Sequence, residues 1–113
     1  METTNTKKAY PTVTPQEFSE VVKNPDVFVL DVRDSGEYSE GHIARAKNID
    51  VQAPDFLEKA EKMLPKNETI AVYCHSGKRS AMASDQLSAA GYKIVNLDGG
   101  ITNWEASGLP VTK

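Results

Sequence analysis

Two short runs constrain this chain more than any other feature. VFVL, residues 27–30, is wholly apolar, and TIAVY, residues 69–73, is apolar after its first residue. A strand with one face in water alternates apolar and polar side chains. An unbroken run is what a strand buried on both faces requires, and such strands occur in parallel sheets covered by helices. Helix signals lie between and around the runs. Thr14-Pro15-Gln16-Glu17 combines a capping Thr, a Pro at the first helical position and a Glu three residues on, which together form a capping box. The pattern predicts a helix from Pro15 to Lys23, broken by Asn24-Pro25-Asp26.

The alternation continues to the end. Ser35-Gly36-Glu37-Tyr38 permits a short helix, Ala46 to Ile49 a short strand, and Pro54 to Met63 a helix ended by Pro65. Arg79 to Ala90 is rich in small helix formers and stops at Gly91, with Ala83, Leu87 and Ala90 on one face. Lys93 to Leu97 reads as the last strand, and Asp98-Gly99-Gly100 turns the chain into a final short helix containing Trp104. Strands alternating with helices imply an α/β fold with helices on both faces of a mainly parallel sheet.

The totals narrow the function classes. A chain of 113 residues fits one domain. Its apolar fraction of 39% and charged fraction of 26% are those of a globular protein, and no stretch reaches the length needed to cross a bilayer. A net charge of −3 gives no general attraction to nucleic acid, so any anion site must be a local arrangement. The first nine residues, METTNTKKA, lack the apolar centre of a secretory signal and are expected to form a disordered leader before a single domain spanning residues 10–113. With one cysteine there is no internal disulfide framework, and a reducing, cytoplasmic setting is expected.

That cysteine, Cys74, closes the TIAVY run and is followed by His75, Ser76, Gly77, Lys78, Arg79 and Ser80. In open α/β sheets, ligands bind beyond the carboxyl ends of strands. A tight loop leading into a helix directs successive backbone N–H groups inward, Gly77 can take the positive φ such a loop needs, and the helix start adds the positive end of its dipole. A free thiol with a pKa of about 8.5 is only about 3% thiolate at neutral pH, and two units of depression require about 2.7 kcal/mol. A helix terminus supplies about 0.3–1 kcal/mol, up to about 2 when partly buried, and hydrogen bonds to charged groups about 1.5–3 each. Cys74 is therefore expected to be a nucleophilic thiolate; its bland alternative is a small core residue with an exposed loop after it.

At this point the chain resembles the rhodanese, or sulfurtransferase, family in its single-domain form. The likeness runs from about Val13 to Pro110. Leu30-Asp31-Val32-Arg33 with Glu37-Tyr38 and Gly41-His42-Ile43 is similar to that family's first signature, continued by Ala46 and Asn48-Ile49. Cys74 to Ser80 is similar to its active-site loop, and Asp98-Gly99-Gly100 with Trp104, Gly108 and Pro110 to its closing signature. The resemblance implies a five-stranded, mainly parallel sheet flanked by helices, and a Cys74 that carries sulfane sulfur as a persulfide. It implies a donor such as thiosulfate or another persulfide, a thiol or cyanide acceptor, a persulfide-carrying protein as a further partner, and backbone N–H groups of residues 75 to 79 around the sulfur. No cofactor is implied, and two histidines and one cysteine so far apart make no zinc site.

Two other classes use the same parts. Cysteine phosphatases and some arsenate reductases place five residues between Cys and Arg, enough to surround a phosphoryl group, whereas four separate Cys74 from Arg79. A non-catalytic binding or regulatory module on the same fold is the other; loss of the cysteine would be its clearest sign, and this chain keeps Cys74. Lys78 and Arg79 either attract an anionic donor or, for Arg79, bind a scaffold carboxylate. His75 is poorly placed as a base, because adjacent loop residues diverge. Ser76 and Ser80 are candidates for hydrogen bonds to sulfur or loop, with Ser80 the stabiliser of loop shape. Asp31, Arg33 and Glu37 read as structural ion pairs, with Arg33 near the pocket rim. His42 reads as a hydrogen-bonded structural residue, and Trp104 as a core anchor that also walls the pocket. Arg45 stands where the family usually has a small residue and is expected to be mildly strained.

Overall fold

The computed structural model describes residues 10–113. The expected leader, residues 1–9, lies outside the described residues. Ten elements follow in order: β1 (Thr12–Val13), α1 (Pro15–Val22), β2 (Phe28–Asp31), α2 (Ser35–Glu40), β3 (Lys47–Asn48), α3 (Phe56–Met63), β4 (Thr69–Tyr73), α4 (Lys78–Ala89), β5 (Lys93–Leu97) and α5 (Gly100–Ala106). The strands form one five-stranded sheet in the order β1-β5-β4-β2-β3, with every neighbouring pair parallel. The two apolar runs are its centre: Phe28 pairs with Ile70 and Leu30 with Val72, while Ile70 also pairs with Ile94.

Side chains of a strand alternate between faces, and β4 separates two cores in this way. Ile70, Val72 and Cys74 join Phe56 and Ala60 of α3 and Ala83 and Leu87 of α4. Ala71 and Tyr73 join Phe18 of α1 and Ile101 and Trp104 of α5 on the opposite face. Helices therefore cover both faces, as expected from the unbroken apolar runs.

Local boundaries differ from expectation in small, explicable ways. The Thr14 capping box forms in both directions, with Glu17 N–H donating to Thr14 Oγ1 and Thr14 N–H to Glu17 Oε1, and α1 ends at Val22, one residue early. Helix α2 starts with a second capping box, Asp34 with Glu37, that the sequence reading did not identify. Helix α3 begins at Phe56 rather than Pro54, and its N-cap Asp55 makes no side-chain cap. Helix α4 begins at Lys78 rather than Arg79, because Gly77 is its N-cap. Strand β1 is the fifth strand that the resemblance implied but the residue reading did not place; two residues carry no readable period, and pairing with β5 defines them. Arg45 does take a positive φ, 71°, and its guanidinium donates to the Val22 carbonyl.

Candidate active site

The site is assembled where β4 ends, between the first turns of α4 and α5. Cys74 is 1% exposed, and its Sγ accepts a hydrogen bond from the Gly77 N–H at 3.0 Å. Gly77 can present that amide because its φ is 110°, a conformation side chains disfavour. The loop is held from behind by α5: the N–H of Ile101 donates to the Cys74 carbonyl at 2.8 Å and that of Thr102 to the His75 carbonyl at 3.1 Å. Gly100, at φ 65°, lets α5 approach so closely; a Cβ there would lie 2.6 Å from the Cys74 carbonyl oxygen. The double glycine was read only as a turn, and its packing role was missed.

Ser80 is buried and donates from Oγ to the Gly77 carbonyl at 3.2 Å, which also receives the Ala81 N–H at 3.1 Å. It thus bridges back to the loop residue that caps α4. Ser76, Lys78 and His75 stand exposed on the loop, and His75 Nε2 lies 3.5 Å from Thr102 Oγ1. Among the described residues, the Sγ hydrogen bond comes from Gly77.

Arg79 meets a scaffold carboxylate. Its guanidinium forks onto Glu37, Nη1 to Oε1 at 2.8 Å and Nη2 to Oε2 at 2.9 Å. Arg79 therefore ties the loop to α2. Its hydrogen bonds hold the Glu37 carboxyl down at about 2, against the opposing effect of burial, with help from the Asp34 capping bond. Glu37 in turn raises the Arg79 guanidinium above its ordinary value.

Asp31 and Arg33 form a second, deeper pair. Asp31 is 0% and Arg33 5% exposed. Arg33 Nη2 donates to Asp31 Oδ2 at 2.7 Å and to the Gly41 carbonyl at 2.6 Å, and Arg33 Nε reaches both carboxylate oxygens. Burial opposes the Arg33 charge, yet the Asp31 hydrogen bonds and charge leave it raised. The pair ties the end of β2 to the Gly41 carbonyl after α2, and Arg33 also lines a cavity of about 270 Å³ with Glu37, His75 and Glu105. His42 stacks on Tyr38 at 3.9 Å and its Nδ1 meets the Tyr38 carbonyl at 2.9 Å, a structural role. Trp104 packs edge-on against Phe18 and donates from Nε1 to the Pro110 carbonyl. Its neighbours Ile43, Arg45 and Leu109 line a different cavity, so Trp104 is a core anchor and not a wall of the cysteine site.

Comparison with known proteins agrees with this geometry. Residues 14–107 match the model of the rhodanese-like domain. The chain is 34% identical over 99 residues to thiosulfate sulfurtransferase GlpE of Coxiella burnetii, covering 86% of this chain and 89% of that protein. It is 37% identical over 92 residues to senescence-associated protein DIN1 of Raphanus sativus, of which it spans 50%. A crystal structure of a rhodanese-related protein from Thermoplasma volcanium superposes with a TM-score of 0.80 at 36% identity, covering 91% of this chain and 98% of that one. With its parallel five-stranded sheet and the Cys74 loop at the end of β4, the chain belongs to the rhodanese-like domain family.

Proposed function

We propose that the protein is a sulfurtransferase that carries sulfane sulfur as a persulfide on Cys74. The observation that carries this reading is the Gly77 amide on Cys74 Sγ at 3.0 Å, at the start of the 12-residue helix α4. An amide donor and a helix N-terminus both stabilise negative charge carried on sulfur during transfer. The likeness to a named thiosulfate sulfurtransferase along most of both chains supports the same chemistry.

The thiolate attacks the outer sulfur of thiosulfate. The S–S bond of the donor breaks, sulfite leaves with the electron pair, and a Cys74–S–S⁻ persulfide remains. Cyanide or an acceptor thiolate then attacks the terminal sulfur, and the thiolate of Cys74 re-forms in its cradle. Product is thiocyanate or an acceptor persulfide. Stabilisation by Gly77 acts on both the attacking and the departing anion. A persulfide extends the chain by one S–S bond of about 2 Å, so the reactive atom of the loaded protein stands beyond the buried Sγ. His75, Ser76, Lys78 and the N–H groups of the loop would receive the donor. A persulfide-carrying protein is an alternative donor, and a reducing compartment such as the cytoplasm suits the free thiol.

Phosphoryl chemistry is disfavoured because the forked donors that would clasp a phosphate are engaged by Glu37. The burial of Cys74 to 1% exposure favours, as a second reading, a docking module that keeps the loop as a shape. Thiocyanate formation from thiosulfate and cyanide tests the two. Turnover by the wild type and its loss in Cys74→Ser is expected. No turnover by the wild type, or equal turnover by Cys74→Ser, would count for the module.

A further inference from the structure

Between α2 and α5, beside the cysteine loop, lies the cavity of about 270 Å³ that Arg33 lines. His75, the residue after Cys74, forms one wall, and Glu37, which grips Arg79 at the far end of the loop, forms another. Glu40 and Glu105 stand exposed on the remaining walls, and neither side chain forms an ion pair or hydrogen bond among the described residues.

Arg33 brings donors of the opposite kind. Its side chain is only 6% exposed. Nε and Nη2 are taken by Asp31 and the Gly41 carbonyl, but Nη1 makes no hydrogen bond among the described residues. A buried guanidinium on a cavity wall with two N–H groups unspent calls for an acceptor from the cavity.

Resting on the reading that Cys74 carries a persulfide, we propose that this cavity seats the sulfur acceptor and that the acceptor is a small α-amino acid thiol of the size of cysteine. A bare anion gains little there, because Asp31 already matches the Arg33 charge and the unpaired Glu40 and Glu105 repel it. A bare cation suits the two glutamates but leaves Nη1 unmet. A zwitterion answers both sets, and burial orders them. Its carboxylate goes inward to Nη1 as a charge-assisted partner, its ammonium stays at the exposed glutamates, and its thiol is left to face His75 and the loop. The thiol gives its proton to solvent, and the thiolate attacks the outer sulfur of Cys74–S–S⁻. The S–S bond to Cys74 breaks, Cys74 leaves as a thiolate with the electron pair, and the product is the persulfide of the amino acid.

Sulfur transfer from thiosulfate to three thiols is the test: L-cysteine, cysteamine, which lacks the carboxylate, and 3-mercaptopropionate, which lacks the ammonium. With concentrations counted as thiolate, the KM for cysteine is expected to lie at least about tenfold below that of either other thiol. Glu105→Gln and Glu40→Gln, exposed changes that spare the fold, should each raise the KM for cysteine by about threefold or more and should not raise that for 3-mercaptopropionate. The intact mass after thiosulfate treatment is read on the same samples. Loaded Cys74 with equal KM for the three thiols, or variants that shift all three alike, overturns the acceptor assignment alone. A protein that never gains sulfur overturns the persulfide reading and this assignment with it.

Discussion

Arg79 and Glu37 lie 42 residues apart in sequence and meet through two parallel hydrogen bonds of 2.8 and 2.9 Å. The fork joins the first turn of the helix after the cysteine to the first turn of α2. Two parallel charge-assisted bonds fix orientation as well as distance, so the pair holds the loop in register with the scaffold. Arg79→Ala and Glu37→Gln should each destabilise the protein by about 1–3 kcal/mol in chemical denaturation and should each reduce sulfur transfer. A double-mutant cycle should show the two losses to be strongly non-additive. Additive effects would mean that the pair does not act as a unit.

The same pair sets an acid limit. Glu37 titrates at about 2 in the folded chain, below its unfolded value of about 4.3. A carboxyl with a depressed folded pKa contributes stability above its unfolded pKa and loses it as pH falls towards the folded value. The contribution is therefore full at pH 5 and above and fades between about pH 4.5 and 2, amounting to about 1–2 kcal/mol after allowance for partial exposure. Denaturation midpoints measured from pH 6 to pH 3 should fall more steeply for the wild type than for Glu37→Gln.

Asp31 and Arg33 bear on stability more heavily because both are buried. Asp31→Ala leaves the Arg33 guanidinium uncompensated and is expected to cost about 3–5 kcal/mol. Replacing both residues by apolar side chains, as in Asp31→Leu with Arg33→Met, should recover most of that loss. Urea denaturation of the single and double variants makes the comparison.

Two glycines at the site should respond differently to a methyl group. Gly100→Ala drives a Cβ into the Cys74 and His75 carbonyls, all of them backbone atoms that cannot step aside. It should lower the melting temperature and abolish sulfur transfer. Gly77→Ala places its Cβ in ordinary van der Waals contact with the Gly99 backbone, 3.5 Å from N and 3.8 Å from Cα, and suffers chiefly the cost of its positive φ. It should stay folded, losing about 1–2 kcal/mol. Thermal melts of the two variants side by side would separate close contact from backbone strain.

Much of the frame was legible from local signals. The runs VFVL and TIAVY are the central paired strands, the Thr14 capping box opens α1, and Gly91 ends α4 at a φ of 98°. Gly77 in a left-handed conformation and Ser80 bracing the loop were also readable, because each acts on residues three or fewer positions away. Long-range partners carried no such signal. Nothing near Arg79 in sequence names Glu37, and their contact exists only because the fold brings α2 beside α4. Strand β1 is likewise a product of pairing at the sheet edge. The role of Gly100 was hidden inside a motif that reads as an ordinary turn.

The persulfide on Cys74 is tested most directly by the intact mass of the protein before and after incubation with thiosulfate. A gain of one sulfur atom in the wild type, removed by cyanide and missing from Cys74→Ser, is the predicted result. An unchanged wild-type mass, or the same gain in Cys74→Ser, would contradict it.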